Sequence, residues 1–207
     1  MSVLVQGSDE WLRLRAGKVT ASRLADVLAR TKTGPAASRD NYKAELVIEI
    51  LTGQPADRFT NAAMQHGTET EPFAREAYAS RSFDEVTEIG FVQHPTIERA
   101  GASPDGLVSS DGLIEIKCPN SHTHMQTLLS EKVPEKYSPQ MQWQMACTGR
   151  LWCDFVSFDN RVPEAMQMFV QRVDRDDVYI ATAEEAVRRF LVEVEQTVKQ
   201  LKEKFNV

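Results

Sequence analysis

Cysteine is scarce in this 207-residue chain: Cys118, Cys147 and Cys153 are the whole set, without a C-x-x-C pair. They can build neither a disulfide framework nor a four-cysteine zinc or iron–sulfur site. Their expected role is that of buried or idle thiols. Long apolar runs are also missing, and no stretch approaches the ~18 residues of a membrane span. The opening MSVLVQGSDEW lacks both the basic start and the apolar length of a signal peptide, so the expectation is a cytoplasmic protein. Repeats and low-complexity segments are absent. So is any excess of positive charge: 24 basic against 30 acidic residues give a net charge of −6, which argues against a general polyanion binder. What remains has globular proportions, 42% apolar and 26% charged, and the length suits one domain over 1–207.

The charge is unevenly placed. Between Arg13 and Lys43 eight basic residues face two acidic ones, Asp26 and Asp40. Between Asp57 and Lys117 eleven acidic residues face five basic ones. A basic arm before an acidic middle suits a protein that grips phosphates with one part and holds divalent cations with another. A solvated charge pattern without function fits the same counts.

Ser8 is placed to cap a short helix carrying Trp11, Leu12 and Leu14, and Thr20 a second with Leu24, Val27 and Leu28. Thr31 to Ser38 reads as a loop. A third helix carries Tyr42, Leu46, Val47, Ile50 and Leu51 and stops at Gly53. A fourth is expected from near Thr60 to Tyr78, with Pro72 interrupting or kinking it. The period then changes to short runs at Val86–Val92, Ala100–Ser103, Leu107–Ser109 and Leu113–Lys117, with Asp111-Gly112 as a turn. Ser138-Pro139 opens a helix closed by Gly149. Strands are expected at Trp152–Phe158 and Met166–Val173. Thr182-Ala-Glu-Glu185 reads as a capping box for a last helix with Val187, Phe190, Leu191, Val194, Val198, Leu201 and Phe205 on one stripe. This order predicts an α/β (α+β) fold, a central mixed sheet flanked by helices. Trp143, Trp152, Met141, Met145, Met166 and Met168 read as core, and His122 and His124 as polar surface.

Chemistry concentrates in Ser103–Lys117. Asp105 sits at a Pro-Asp-Gly bend. Glu115 and Lys117, two apart in a strand, share one face, while Ile114 and Ile116 form the other, so the charged face is expected to meet solvent. Two converging carboxylates repel unless a cation lies between them. Oxygen ligands favour Mg²⁺ or Mn²⁺ over zinc. A lysine beside them can orient a water or stabilise charge on a phosphate under attack. The spacing alone also fits a turn beside an exposed salt bridge.

Pro104-Asp105 … Glu115-Ile116-Lys117 resembles the PD-(D/E)xK nuclease signature. Trp11-Leu-Arg-Leu-Arg-Ala-Gly-Lys-Val-Thr-Ala-Ser22, His66-Gly-Thr-Glu-Thr-Glu71, Ser103-Pro-Asp-Gly106 and Ser138-Pro-Gln-Met-Gln142 resemble, in order, segments of the lambda-type exonucleases (YqaJ-like viral recombinases and alkaline exonucleases). The resemblance runs from about Ser8 to the final helix. It departs at His66, where the family often has an aromatic residue, and at Pro72, directly after Glu71.

That resemblance implies a restriction-endonuclease-like fold and a Mg²⁺-dependent 5′→3′ exonuclease acting on linear duplex DNA, with Mn²⁺ as a possible substitute and two ions per site. Asp105, Glu115 and the Ile116 carbonyl would bind metal, Glu71 would complete a second position, and Lys117 would activate water. Arg15, Ser22, Ser103 and Gln140 would hold the 5′-phosphate. It also implies a homotrimer and a single-strand annealing partner. The competing readings are a PD-(D/E)xK endonuclease of restriction or resolvase type and a DNA-binding module with an inactive site.

Overall fold

The computed structural model describes residues 6–32, 34–56 and 61–206. Helix α1 (Asp9–Arg15) starts where expected, because the Ser8 hydroxyl accepts the Trp11 N–H. Strand β1 (Val19–Thr20), a 3-10 turn (Ala21–Arg23) and α2 (Leu24–Leu28) follow. Thr20 precedes that turn but does not cap it with its side chain, which lies 3.4 Å from the Ser22 hydroxyl. The expected loop contains a small hairpin, β2 (Arg30–Thr31) with β3 (Gly34–Pro35), and α3 (Ala37–Thr52) begins inside its end. Gly53, at φ 67°, stops α3 in the left-handed conformation that glycine adopts without strain.

The expected start of the fourth helix at Thr60 lies outside the described residues. Helix α4 (Ala62–Ser82) is capped by Asn61 and runs through Pro72 without interruption. The missing N–H at that position is outweighed by the burial of Ala74 and Tyr78 against the sheet.

The strand expected over 86–92 divides into β4 (Val86–Thr87) and β5 (Val92–Gln93), which enter different sheets. Strands β6 (Ala100–Ala102), β7 (Gly106–Val108) and β8 (Gly112–Lys117), helices α5 (Ser121–Ser130) and α6 (Ser138–Thr148), strands β9 (Trp152–Phe158) and β10 (Met168–Asp174), and helix α7 (Asp177–Phe205) complete the order. The main sheet runs β10-β9-β8-β7-β4, with β8 and β9 parallel and its other pairs antiparallel. A smaller sheet, β1-β6-β5, pairs β1 parallel to β6. The architecture is the mixed sheet flanked by helices that the sequence predicts.

Each face of β8 meets a helix. Ile114 and Ile116 pack with Ala74 and Tyr78 of α4. Leu113 packs with Met141 and Met145 of α6. The far side of α6 supplies Trp143, Ala146 and Cys147 to a larger core shared with α2, α3 and α7. The charged face of β8 is therefore roofed by α6, and the expectation that it meets solvent is corrected: Glu115 is fully buried.

Four further expectations change. Helix α7 starts at Asp177, because Asp176 accepts the Tyr179 N–H, while the Thr182 hydroxyl bonds back to Val178 inside the helix. His124 is buried, with Nδ1 at 2.8 Å from Ser157 Oγ and Nε2 at 2.8 Å from the Met166 carbonyl; only His122 is on the surface. Met166 is exposed and Trp152 half-buried, the latter under the Arg172 guanidinium. The final stripe is buried from Val187 to Val198, but Phe205 extends past the core and is exposed.

Candidate active site

The bend at Asp105 leads directly into β7, and β7 pairs antiparallel with β8. Asp105 Oδ2 accepts the Ile116 N–H at 2.7 Å, which pins the bend to the strand carrying Glu115 and Lys117. Glu115 is surrounded by donors. Gln140 Nε2 reaches one carboxylate oxygen and Gln144 Nε2 the other, both at 2.6 Å, and the Lys117 ammonium pairs with the first. The two glutamines lie one turn apart on α6, so a single helix face aims both amides at the carboxylate. Glu71 approaches from α4. Arg75, one turn later, donates to Glu71 at 2.6 Å and to the Asp105 carbonyl at 3.1 Å, tying α4 to the bend.

Burial raises the Asp105 carboxyl well above the usual carboxylate range, and the charges of Glu115 and Glu71 push it the same way. Burial also raises Glu71, against the pull of Arg75. Burial alone would lower the Lys117 ammonium, but Glu115 and Asp105 outweigh it and hold the group protonated above its ordinary value. The neighbouring Cys118 thiol is pushed up to about 12, first by burial and then by Glu71 and Asp105, which disfavours its thiolate.

Among the described residues, no three His, Cys, Asp or Glu side chains form a ready ligand cluster. Glu115 is engaged by amides and an ammonium, and Glu71 by a guanidinium. The donor chemistry nevertheless suits a hard divalent cation: it is all oxygen, and the mutual repulsion of the three carboxylates is what such an ion relieves.

Arg15, Ser22, Ser103 and Gln140 come together. With Asp105, Trp11, Thr20, Ala21 and Gln6 they line one small cavity of about 140 Å³. Arg15 is buried with its guanidinium 3.7 Å from the centroid of Trp11, one turn earlier on α1. Trp11 Nε1 donates to Ser103 Oγ at 3.0 Å. Sequence reasoning missed Trp11, Arg75 and Gln144 as site residues. Each stands four residues from a candidate on the same helix, a spacing that could have found them.

Residues 10–151 match the YqaJ-like viral recombinase domain. The alkaline exonuclease LHK-Exo from Laribacter hongkongensis is 54% identical over 96% of this chain and 98% of its own, with a TM-score of 0.90. The structure of that enzyme in complex with dAMP matches equally, at a TM-score of 0.90. A phage-related exonuclease from Haemophilus somnus 129PT shares the fold at 20% identity, over 89% of this chain and 96% of its own, with a TM-score of 0.72. No curated protein matches the chain. With a domain match across most of its length and a relative 54% identical over nearly all of it, the chain belongs to the YqaJ-like viral recombinase domain family.

Proposed function

We propose that residues 1–207 form one exonuclease domain that digests one strand of linear duplex DNA in the 5′→3′ direction with Mg²⁺, leaving a 3′ single-stranded overhang for recombination by annealing. The observation that carries this reading is the cavity in which Arg15, Ser22, Ser103 and Gln140 meet Asp105. A guanidinium, two hydroxyls and an amide are donors for a phosphate. A terminal phosphate bound there lies beside the candidate catalytic carboxylate, which is what removal of nucleotides from an end requires.

In this reading Asp105, Glu115 and the Ile116 carbonyl hold the catalytic ion, and Glu71 with Asp105 holds a second. Mg²⁺, or Mn²⁺ in its place, would polarise the scissile phosphate and acidify a water. Lys117, protonated, orients that water and offsets charge building on the phosphoryl oxygens. Gln140 and Gln144 fix the Glu115 carboxylate, and Arg75 fixes Glu71 against the Asp105 bend. Assembly as a homotrimer around DNA, a single-strand annealing protein as partner and action in the cytoplasm belong to the same proposal.

The test is digestion of linear duplexes with 5′-phosphate or 5′-hydroxyl ends, beside closed circular DNA, with and without Mg²⁺. Metal-dependent loss of the linear substrates, faster from phosphorylated ends, is expected. Nicking of circles would overturn the exonuclease reading in favour of an endonuclease.

A further inference from the structure

Strands β1 and β6 run parallel, with Val19 opposite Ala100 and Thr20 opposite Gly101. Val19 donates its N–H to the Arg99 carbonyl at 2.9 Å. The residues just before the pairing are Lys18 and Arg99, so the register sets two cations side by side. The residues just after it lead to Ser22 and Ser103. The cation pair and the candidate phosphate pocket thus occupy opposite ends of one strand pair. Four residues of extended chain, Arg99 to Ser103, span about 13 Å.

Lys18 and Arg99 are both partly exposed and line an open concavity with the turn over residues 93–98. Lys18 also lines the larger groove that Arg15 and Ser22 share, and that groove, which Glu45 and Glu49 line as well, joins the concavity to the pocket. Arg99 pairs with Glu195 at 3.9 Å, a long contact between two exposed side chains that contributes little. Lys18 donates to the Leu14 carbonyl, and burial, with Arg99 adding to it, lowers its pKa; Glu98 lines the same concavity. Between them and the pocket lies an aromatic surface. The Phe91 ring covers Gly101, where any Cβ would collide with it, and the Lys18 ammonium is 5.5 Å from its centroid. Cations flanking an aromatic ring are the elements of a single-strand nucleic-acid track.

We propose that Lys18, Arg99 and Phe91 bind single-stranded DNA beyond the terminal-phosphate pocket, and that the bound strand is the undigested one. The inference rests on the exonuclease reading above: once a 5′ end sits in the pocket, the chain that continues past it is the unpaired complement. The phosphates meet the two cations, and a base stacks on the ring.

The test is affinity, read in EDTA by fluorescence anisotropy, for three duplexes: blunt, with a 3′ overhang and with a 5′ overhang. Wild type binds the 3′-overhang duplex more tightly than the blunt one. The Lys18→Gln/Arg99→Gln pair loses about 10-fold on the 3′-overhang duplex. Its slope of log K against log salt falls by about 1.4, the value for two phosphate contacts on a single strand. Phe91→Leu loses about 5-fold on the same duplex while keeping the slope. Unchanged affinity and slope in the double variant overturn the proposal, as does a loss confined to the 5′-overhang duplex. Absence of Mg²⁺-dependent hydrolysis in wild type would instead sink the exonuclease reading, an outcome that these binding measurements do not depend on.

Discussion

Glu115 is the residue on which the candidate site turns. It is fully buried, and its two oxygens take two amides and an ammonium. Removing one donor leaves carboxylate lone pairs unsatisfied in a dry setting. Gln144→Leu is therefore expected to lower unfolding free energy by about 1–3 kcal/mol and to slow cleavage; a urea titration beside a single-turnover assay reads both. Asp105→Ala and Glu115→Ala are expected to abolish cleavage with DNA binding retained, since each deletes an anionic ligand. Arg15→Ala is expected to erase the preference for 5′-phosphorylated ends, a loss of about 10- to 150-fold for one charge-assisted contact; equal rates on both ends in wild type would refute the pocket. Spacing and family likeness make Asp105, Glu115 and Lys117 legible in the sequence. Arg75 and Gln144 carry only their four-residue spacing from Glu71 and Gln140 as a signal, and what they bond depends on which helix faces which strand. His124 misleads for the same reason: its partners, Ser157 and the Met166 carbonyl, lie more than thirty residues away.

At the scale of elements, α4 and α6 grip β8 from opposite faces. Long periodic elements such as α3 and α7 and the long strands β9 and β10 are readable from their apolar spacing. Two-residue strands such as β1 and β5 are not, since their pairing depends on partners remote in sequence. The start of α7 shows the competition in detail: the Thr182 box has the right letters, yet Asp176 captures the first free N–H one turn and a half earlier. In α4, Pro72 follows Glu71 and deprives the helix of one backbone bond. Pro72→Ala restores the N–H and is expected to stabilise the protein by up to about 3 kcal/mol. It also changes the helix backbone directly beside Glu71, so cleavage is expected to fall. A raised melting temperature with unchanged cleavage would show that Pro72 does not matter to the site.

For the whole molecule, one loop contributes to stability against acid. Burial alone would raise the Asp159 carboxyl, but hydrogen bonds from Arg161 and Ser121 outweigh it and hold it down to about 2. Arg161 also reaches the Pro119 carbonyl, so the ion pair links the end of β9 to the segment after β8. A depressed carboxyl stabilises above its unfolded pKa and loses that contribution as pH falls. The loss is expected between about pH 4 and about pH 2, and Asp159→Asn should flatten it in a pH series of thermal melts.

The bonds around Glu115 and Arg75 also fix an order of events during synthesis. Glu115 leaves the ribosome before the helix that supplies Gln140 and Gln144 has been made, and the helical core beneath α6 waits longer still, for residues up to Val198 of α7. A nascent chain halted after β8 carries Asp105, Glu115 and Lys117 with no roof to bury them. A chain ended there is expected to lack nuclease activity.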